Sequence, residues 1–310
     1  MNSGILLVDK PQGITSHDVV SRMRRLAGTR KIGHAGTLDP MATGLLVLGV
    51  NGATRLLHYL VGLDKEYFAT IRLGWNTSTD DAEGEPLRAA SADVIAAATE
   101  QAIRAAIAPL TGEIEQVPST VSAIKVAGKR AYQRVRDGET VELAARRVTV
   151  SAFEPLAFRA GDAHLDVDVR VECSSGTYIR ALARDLGASL GTGGHLTALR
   201  RTRIGRFSVD EASELEGFDV AASIMSPADA ARRALPVVEL SSAQAVDLGH
   251  GKRVDLAEVG GLAASGETPL PAVLAAIDAD DRLVAIVEPK GRQLKVVTGF
   301  PPAEAGEAGA

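Results

Sequence analysis

The run Gly33-His34-Ala35-Gly36-Thr37-Leu38-Asp39-Pro40-Met41-Ala42-Thr43-Gly44-Leu45-Leu46 is where this sequence is best equipped for chemistry. It places one carboxylate, Asp39, among small residues and backbone breakers. Gly33, Gly36 and Gly44 permit backbone angles that residues with a Cβ avoid. Pro40 fixes its own φ and biases Asp39 away from the helical region. A lone acid held on such a shaped loop suits a nucleophile. Asp before Pro is also ordinary turn punctuation. A stretch of this length and composition, followed by the apolar run Leu45 to Val50, is far more specific than that. His34 stands on the same loop and has three readings: general base, loop hydrogen bonder, or a wedge filling vacated space. A metal reading is poor, because no second His or Cys stands at ligand spacing.

The elements that would position this loop are legible in outline. Ile5 to Val8 reads as a short apolar strand. Ser16 reads as the N-cap of a helix running to Ala27 and closed by Gly28. Leu45 to Val50 reads as a buried strand, Ala53 to Leu60 as a short helix, and Tyr67 to Leu73 as an alternating strand. Asp93 to Ala108 predicts one Ala-rich helix stopped by Pro109 and Gly112. Leu165, Val167, Val169, Val171 and Cys173 alternate with Asp166, Asp168, Arg170 and Glu172, a half-buried strand signature. Thr177 to Leu190 reads as a helix. Strands and helices mix without a strict βαβ repeat, so an α/β (α+β) fold with a mixed sheet fits better than a doubly wound one. A boundary falls between Phe207 and Leu235. Beyond it, Pro236 to Leu240, Val273 to Asp278, Leu283 to Pro289 and Leu294 to Val297 are short strands suited to a small β-barrel.

Two glycine-rich stretches are weak signals. Gly28-Thr29-Arg30-Lys31-Ile32-Gly33-His34 nearly fits a phosphate-cradle spacing but lacks the Lys-Ser/Thr pair. Gly191-Thr192-Gly193-Gly194 is too short, and it follows a helix, so it is no dinucleotide fingerprint.

Composition sets further bounds. Hydrophobic content of 45% and charged content of 24% are ordinary for a globular chain. The single cysteine, Cys173, cannot form an internal disulfide, and structural zinc would want about four ligands. No apolar run approaches the ~18 residues of a membrane span, and Met1 to Lys10 has no basic flank, so a cytoplasmic enzyme is expected. The net charge of −5 argues against a generic nucleic-acid binder. Its distribution reverses that. Residues 119–206 carry 15 Lys/Arg against 9 Asp/Glu, whereas residues 207–310 carry 8 against 17. The middle third has the electrostatic footprint for a polyanion.

The Asp39 run resembles the catalytic loop of the TruB family of pseudouridine synthases, which convert uridine 55 in the T loop of tRNA to pseudouridine. Asp9-Lys10-Pro11-Gln12-Gly13-Ile14-Thr15-Ser16-His17-Asp18 resembles the family's opening motif. Lys65-Glu66-Tyr67, followed by Arg72-Leu73-Gly74, resembles its tyrosine strand. Val121-Ser122-Ala123-Ile124-Lys125, with Gly128-Lys129 and Ala131-Tyr132, resembles its RNA-clamping insertion. Ser174-Ser175-Gly176-Thr177-Tyr178-Ile179-Arg180 resembles its arginine motif. Leu199-Arg200-Arg201-Thr202 resembles the end of its catalytic domain. The matches keep family order over about residues 3 to 210.

The resemblance implies roles. Asp39 would be the nucleophile, attacking sugar C1′ or removing the C2′ proton through a glycal. Tyr67, otherwise an ordinary half-buried strand tyrosine, would stack on the flipped uracil and take part in C5 proton transfer. Arg180, otherwise an exposed helix arginine, would pair with Asp39. His34 would be the wedge that aids base extraction. Arg55, Asp81, Tyr178, Arg200 and Arg201 would serve base flipping or RNA binding. Lys125, Lys129, Arg130, Tyr132 and Arg134, with Arg136, Arg146 and Arg147, would form an RNA clamp, where the bland alternative is a solvated basic face. The reaction exchanges an N1–C1′ bond for C5–C1′ without redox change, so no metal or cofactor is expected. The implied organisation is a catalytic domain over 1–230 with the insertion at about 119–147, a PUA-like RNA-binding domain over 235–300, and a disordered tail over 301–310. The implied partner is the T arm of tRNA, with the acceptor stem reached by the C-terminal domain, bound by a monomer. Two other readings are a guide-RNA-dependent synthase of the dyskerin type and an RNA-folding module without essential catalysis.

Overall fold

The computed structural model describes residues 3–119, 125–126, 129–130, 143–261 and 271–301. In chain order they form β1 (Gly4–Lys10), α1 (Ser16–Leu26), β2 (Ile32–His34), β3 (Thr43–Val50), α2 (Leu57–Val61), β4 (Lys65–Leu73), β5 (Trp75–Thr77), β6 (Pro86–Ala89), α3 (Ala92–Ala97), α4 (Glu100–Ile107) and β7 (Gly112–Gln116). There follow β8 (Lys125–Val126), β9 (Lys129–Arg130), β10 (Arg146–Ala160), β11 (Leu165–Cys173), α5 (Ile179–Ser189), β12 (Gly194–Ile204), β13 (Phe207–Ser208), β14 (Ser213–Glu214), α6 (Val220–Ser223) and α7 (Pro227–Ala234). The chain closes with β15 (Val237–Leu240), α8 (Ser242–Gly249), β16 (Val254–Asp255), β17 (Leu274–Asp278), β18 (Leu283–Lys290) and β19 (Gln293–Gly299). None of the helices among the described residues is long and apolar enough to cross a membrane.

The chain divides into two compact units, one of Met1–Leu38, Leu45–Val61 and Gly205–Ala310, the other of Asp39–Gly44 and Gly62–Ile204. In the first unit β1 runs beside the apolar part of β3 and pairs in parallel with β14. Helix α1 buries Val19, Val20 and Met23 against Leu6, Val8, Leu46, Leu48 and Val50. Truncating a core leucine such as Leu46 to Ala would cost about 2–5 kcal/mol. The helix starts one residue earlier in its capping than the sequence predicts. Thr15 is the N-cap and forms a capping box with Asp18, satisfying two orphan backbone donors. Ser16 is thereby released for another task. Its buried hydroxyl accepts from the Leu38 amide at 2.8 Å and donates to the Leu38 carbonyl at 3.0 Å. Lys10, fully buried, donates to the Pro11 and Ile14 carbonyls at 2.9 and 2.7 Å and closes the loop before α1.

The same unit holds a five-stranded sheet ordered β15-β17-β18-β19-β16, with β15 and β17 parallel and the other pairs antiparallel. Its core is Val238, Leu240, Leu248, Leu274, Ala276, Val287 and Leu294. The four expected strands are present within one or two residues at each end. The helix α8 between them is an addition to the expected elements; Ser241 caps it through a box with Gln244.

In the second unit the strand order is β12-β4-β11-β10-β7, all antiparallel, and Thr43–Gly44 joins β12 in parallel. The sheet is mixed, as expected. On β4, Lys65, Tyr67, Ala69, Ile71 and Leu73 point to the buried face, and Glu66, Phe68, Thr70 and Arg72 to the other. That second face is a ladder of ion pairs: Arg72 with Asp166, Arg170 with Glu66, Arg203 with Asp64, and Arg159 with Asp168. The expected single helix over 93–108 is two helices. Ala98 leaves helical geometry, and the Thr99 hydroxyl accepts from the Ala102 amide to cap a new start.

Candidate active site

Asp39 opens the Asp39–Gly44 segment of the second unit. Its carbonyl accepts from the Ala42 amide at 3.1 Å, closing a turn around Pro40. Its carboxylate Oδ2 lies 3.1 Å from Nη2 of Arg180. The other guanidinium nitrogen of Arg180, Nη1, lies 3.2 Å from Oδ2 of Asp81 and donates to the Thr79 carbonyl at 2.9 Å. One arginine therefore bridges two carboxylates. The Arg180 and Asp81 side chains are 5% and 3% exposed, and that of Asp39 is 37% exposed. The arrangement reads as a buried base carrying one accessible acid. A guanidinium at this range makes a charge-assisted contact that fixes the orientation of each carboxylate.

Each partner is itself held. Arg180 lies in the first turn of α5, whose N-cap is Tyr178. The buried Gln116 side chain accepts from the Tyr178 amide at 2.8 Å and donates to its carbonyl at 3.1 Å. Asp81 accepts from the Thr79 hydroxyl and the Glu83 amide, and its carbonyl accepts from Thr77 Oγ1 at 2.6 Å. One helical turn after Arg180, Arg184 donates to the Val117 carbonyl at 2.8 Å and reaches Asp80 at 3.5 Å. Asp80 adopts φ +60, a strained value for a residue with a Cβ. Burial pushes its carboxyl above the usual range, with Arg184 and Arg180 opposing. Thus Gln116 and Val117, at the end of β7, are tied to the helix that carries Arg180. Sequence reading misses Gln116, Arg184 and Asp80, since none stands in a local motif.

Tyr67 lies on the buried face of β4, 7% exposed. Its register partner on β12 is Arg201, and the Arg201 guanidinium donates to the Tyr67 hydroxyl. Burial raises the phenol above its ordinary value, Arg201 works against that rise, and Asp39 adds to it. Arg201, expected beside Arg200 among the RNA-facing residues, is only 1% exposed and belongs to this interior cluster. Lys65, also buried, is pulled down to about 8 by desolvation and by the charge of Arg201. Arg200 reaches the Thr43 hydroxyl at 3.5 Å, and Tyr178 is half-buried.

The remaining sequence-derived residues fall elsewhere. His34, in the first unit, sits at the end of β2 opposite Leu48, with the His17 ring edge-on at 5.9 Å. Arg55, in the same unit, donates to the Gly299 carbonyl at 2.6 Å beside a groove of about 410 Å³ lined by His250, Arg282, Val284 and Phe300. Backbone strands β8 and β9 pair Lys125 with Arg130 and Val126 with Lys129. Tyr132, Arg134 and Arg136, and the tail beyond Pro301, lie outside the described residues.

A mixed sheet with a half-exposed aspartate, a buried arginine behind it and a strand tyrosine in the same unit occurs here in a chain that pseudouridylate synthase family models match over most of its length. The model described as TruB family pseudouridylate synthase (N terminal domain) matches residues 24–179, the tRNA pseudouridylate synthase B C-terminal domain matches 180–238, and tRNA Pseudouridine synthase II, C terminal, matches 235–301. The chain belongs to the TruB family. It is 56% identical over 301 residues to tRNA pseudouridine synthase B of Leifsonia xyli subsp. xyli, covering 97% of each chain. It is 58% identical over 304 residues to the protein of that name from an Arthrobacter species, covering 97% of this chain and 98% of the other. Among solved structures it resembles one of an H/ACA RNP bound to a substrate RNA containing 2′-deoxyuridine, with TM-score 0.71, 25% identity, and coverage of 96% of this chain and 85% of that one. A Cbf5-Nop10-Gar1 complex gives TM-score 0.72, 26% identity and the same coverage.

Proposed function

We propose that this protein isomerises uridine 55 in the T loop of tRNA to pseudouridine, acting without a guide RNA. The observation that carries the reading is the Asp39–Arg180–Asp81 bridge, with Asp39 its accessible end. Asp39 acts on the sugar, at C1′ directly or at the C2′ proton. Arg180 holds it aimed, and Asp81 fixes Arg180 from behind. Tyr67 stacks on the flipped uracil, and His34 fills the space the base leaves. Lys125, Lys129, Arg130, Tyr132 and Arg134 grip phosphates, giving salt-dependent affinity.

Residues 1–230 are read as the catalytic domain and 235–300 as a C-terminal PUA-like RNA-binding domain that meets the acceptor stem. The start of the third family model at residue 235 supports that division. The protein works as a cytoplasmic monomer. Identity of 51–58% to proteins named tRNA pseudouridine synthase B, against 25–26% to the H/ACA-type structures, favours the guide-independent reading.

The test is pseudouridine mapping of an unmodified tRNA transcript incubated with the pure protein alone. Modification at position 55 is expected with the wild type and none with Asp39→Asn, which keeps the size of the side chain and loses its charge. Modification that appeared only after a guide RNA was added would overturn the reading.

A further inference from the structure

Burying a guanidinium is expensive, and a chain that does so puts it to use. Arg201 is 1% exposed and is among the largest fully buried side chains of the described residues. It is fixed on β12 between two neighbours. On one side its backbone pairs with Gly44, at the end of the Asp39–Gly44 segment. On the other it faces Tyr67 across β4, and its side chain donates to the phenol. A hydroxyl has one proton and two acceptor sites. With Arg201 donating into one acceptor site, the oxygen is oriented and its own proton is turned elsewhere. The groups facing the phenol are Arg201 from β12, Cys173 from β11 and Asp39 from the loop. Of these Arg201 alone is cationic, with the buried Lys65 ammonium beside it.

We propose that Arg201 is a positioning residue: its guanidinium holds the Tyr67 oxygen in place and favours the phenolate, so that Tyr67 takes the C5 proton of the rotated uracil. The inference rests on the pseudouridine-forming reading of the site. In the step proposed, the new C5–C1′ bond is already made. The C5–H bond breaks and its proton passes to the Tyr67 oxygen. The freed electron pair forms the C5–C6 double bond, the C6–N1 π pair retreats to N1, and N1 takes a proton from water. The phenol returns its proton to solvent before the next turnover.

Two measurements test this. The first needs no activity. In protein labelled with ¹³C at the tyrosine ring Cζ, comparison with Tyr67→Phe identifies the Tyr67 resonance among the four tyrosines. Titration of wild type, Arg201→Lys and Arg201→Met should place the phenol about one pH unit or more higher in the Met variant, with the Lys variant between, since methionine removes a charge-assisted hydrogen bond. The second is single-turnover conversion of a T-arm RNA at saturating enzyme. Arg201→Met should be slower by about tenfold or more at neutral pH, with a deficit that shrinks as pH rises, and Arg201→Lys should recover part of the rate. In a Tyr67→Phe background the same Met substitution should cost less than about twofold, because both changes remove one interaction. An unchanged phenol titration overturns the proposal, and so do penalties that multiply in the double variant. If Arg201→Met does not fold, Arg201→Lys carries both measurements. A wild type whose phenol responds as expected but which makes no pseudouridine overturns the functional reading and leaves the Arg201–Tyr67 hydrogen bond standing.

Discussion

Gly44 and Arg201 touch backbone to backbone: a Cβ on Gly44 would lie 2.2 Å from the Arg201 carbonyl oxygen and 2.9 Å from its amide nitrogen. Gly44 also holds φ +100, which side-chain-bearing residues rarely adopt. Six residues, Asp39 to Gly44, make up the segment that carries Asp39, and this close approach fixes their far end to the strand that pairs with the Tyr67 strand.

Gly44→Ala should therefore cost both stability and rate. Backbone strain and overpacking together predict roughly 2–4 kcal/mol of destabilisation. Denaturant unfolding reads the first, and single-turnover pseudouridine formation the second. A variant matching wild type in both would mean the close approach is unimportant.

Asp81→Asn should leave the fold intact and slow the chemistry by about tenfold or more, with affinity for T-arm RNA nearly unchanged. The amide still fits its Thr79 and Glu83 partners in part, but it no longer balances Arg180, which is then drawn wholly to Asp39. Weaker RNA binding with an unaltered rate at saturation would assign Asp81 to binding instead.

Lys65 gives a pH signature. Its folded value of about 8 lies below its ordinary 10.5, so the unfolded chain binds more protons between those values. Stability from this group is fully present above about 10.5, grows as pH rises from 8, and is lost as pH falls through 8. Urea midpoints of wild type and Lys65→Met, compared across that window, should converge as pH rises. Parallel curves would show that Lys65 keeps its charge in the folded state.

The basic segment makes a prediction from sequence alone. Replacing Lys129, Arg130 and Arg134 with Ala should weaken tRNA binding more than it slows single-turnover chemistry. Each phosphate neutralised by one of these residues should, once that residue is removed, flatten the log–log salt dependence of binding by about 0.7 to 0.9. An unchanged slope would reduce these residues to a solvated face.

What can be read from the residues, and what cannot, divides along physical lines. Asp39 announces itself through the glycines and proline around it, and Arg180 through its motif. That the two meet, with Asp81 on the far side of Arg180, depends on approach between residues 99 apart in the Asp81–Arg180 case, which no local spacing encodes. Gln116 and Arg184 are ordinary polar residues whose tasks arise only when β7 and α5 come together. The long β10 is hard to read because Pro155 interrupts its pattern, and the register with β11 shifts just there, between Pro155 and Ala157. The Ala-rich run over 93–108 conceals Thr99, whose hydroxyl restarts the helix. The alternating strands β4 and β11 are legible because one of their faces is buried along its whole length.

The ion-pair ladder on the other face of β4 bears on how a polyanion would find this protein. Arg72, Arg159, Arg170 and Arg203 stand among six carboxylates, those of Asp64, Glu66, Glu154, Asp166, Asp168 and Glu172, so the ladder holds more acids than bases. Such a surface answers its cations locally and presents a small acidic excess from afar. It does not draw in RNA. The long-range attraction is left to basic residues outside the ladder, and the direction from which a nucleic acid is captured is narrowed by this acidic excess as much as by concentration of positive charge.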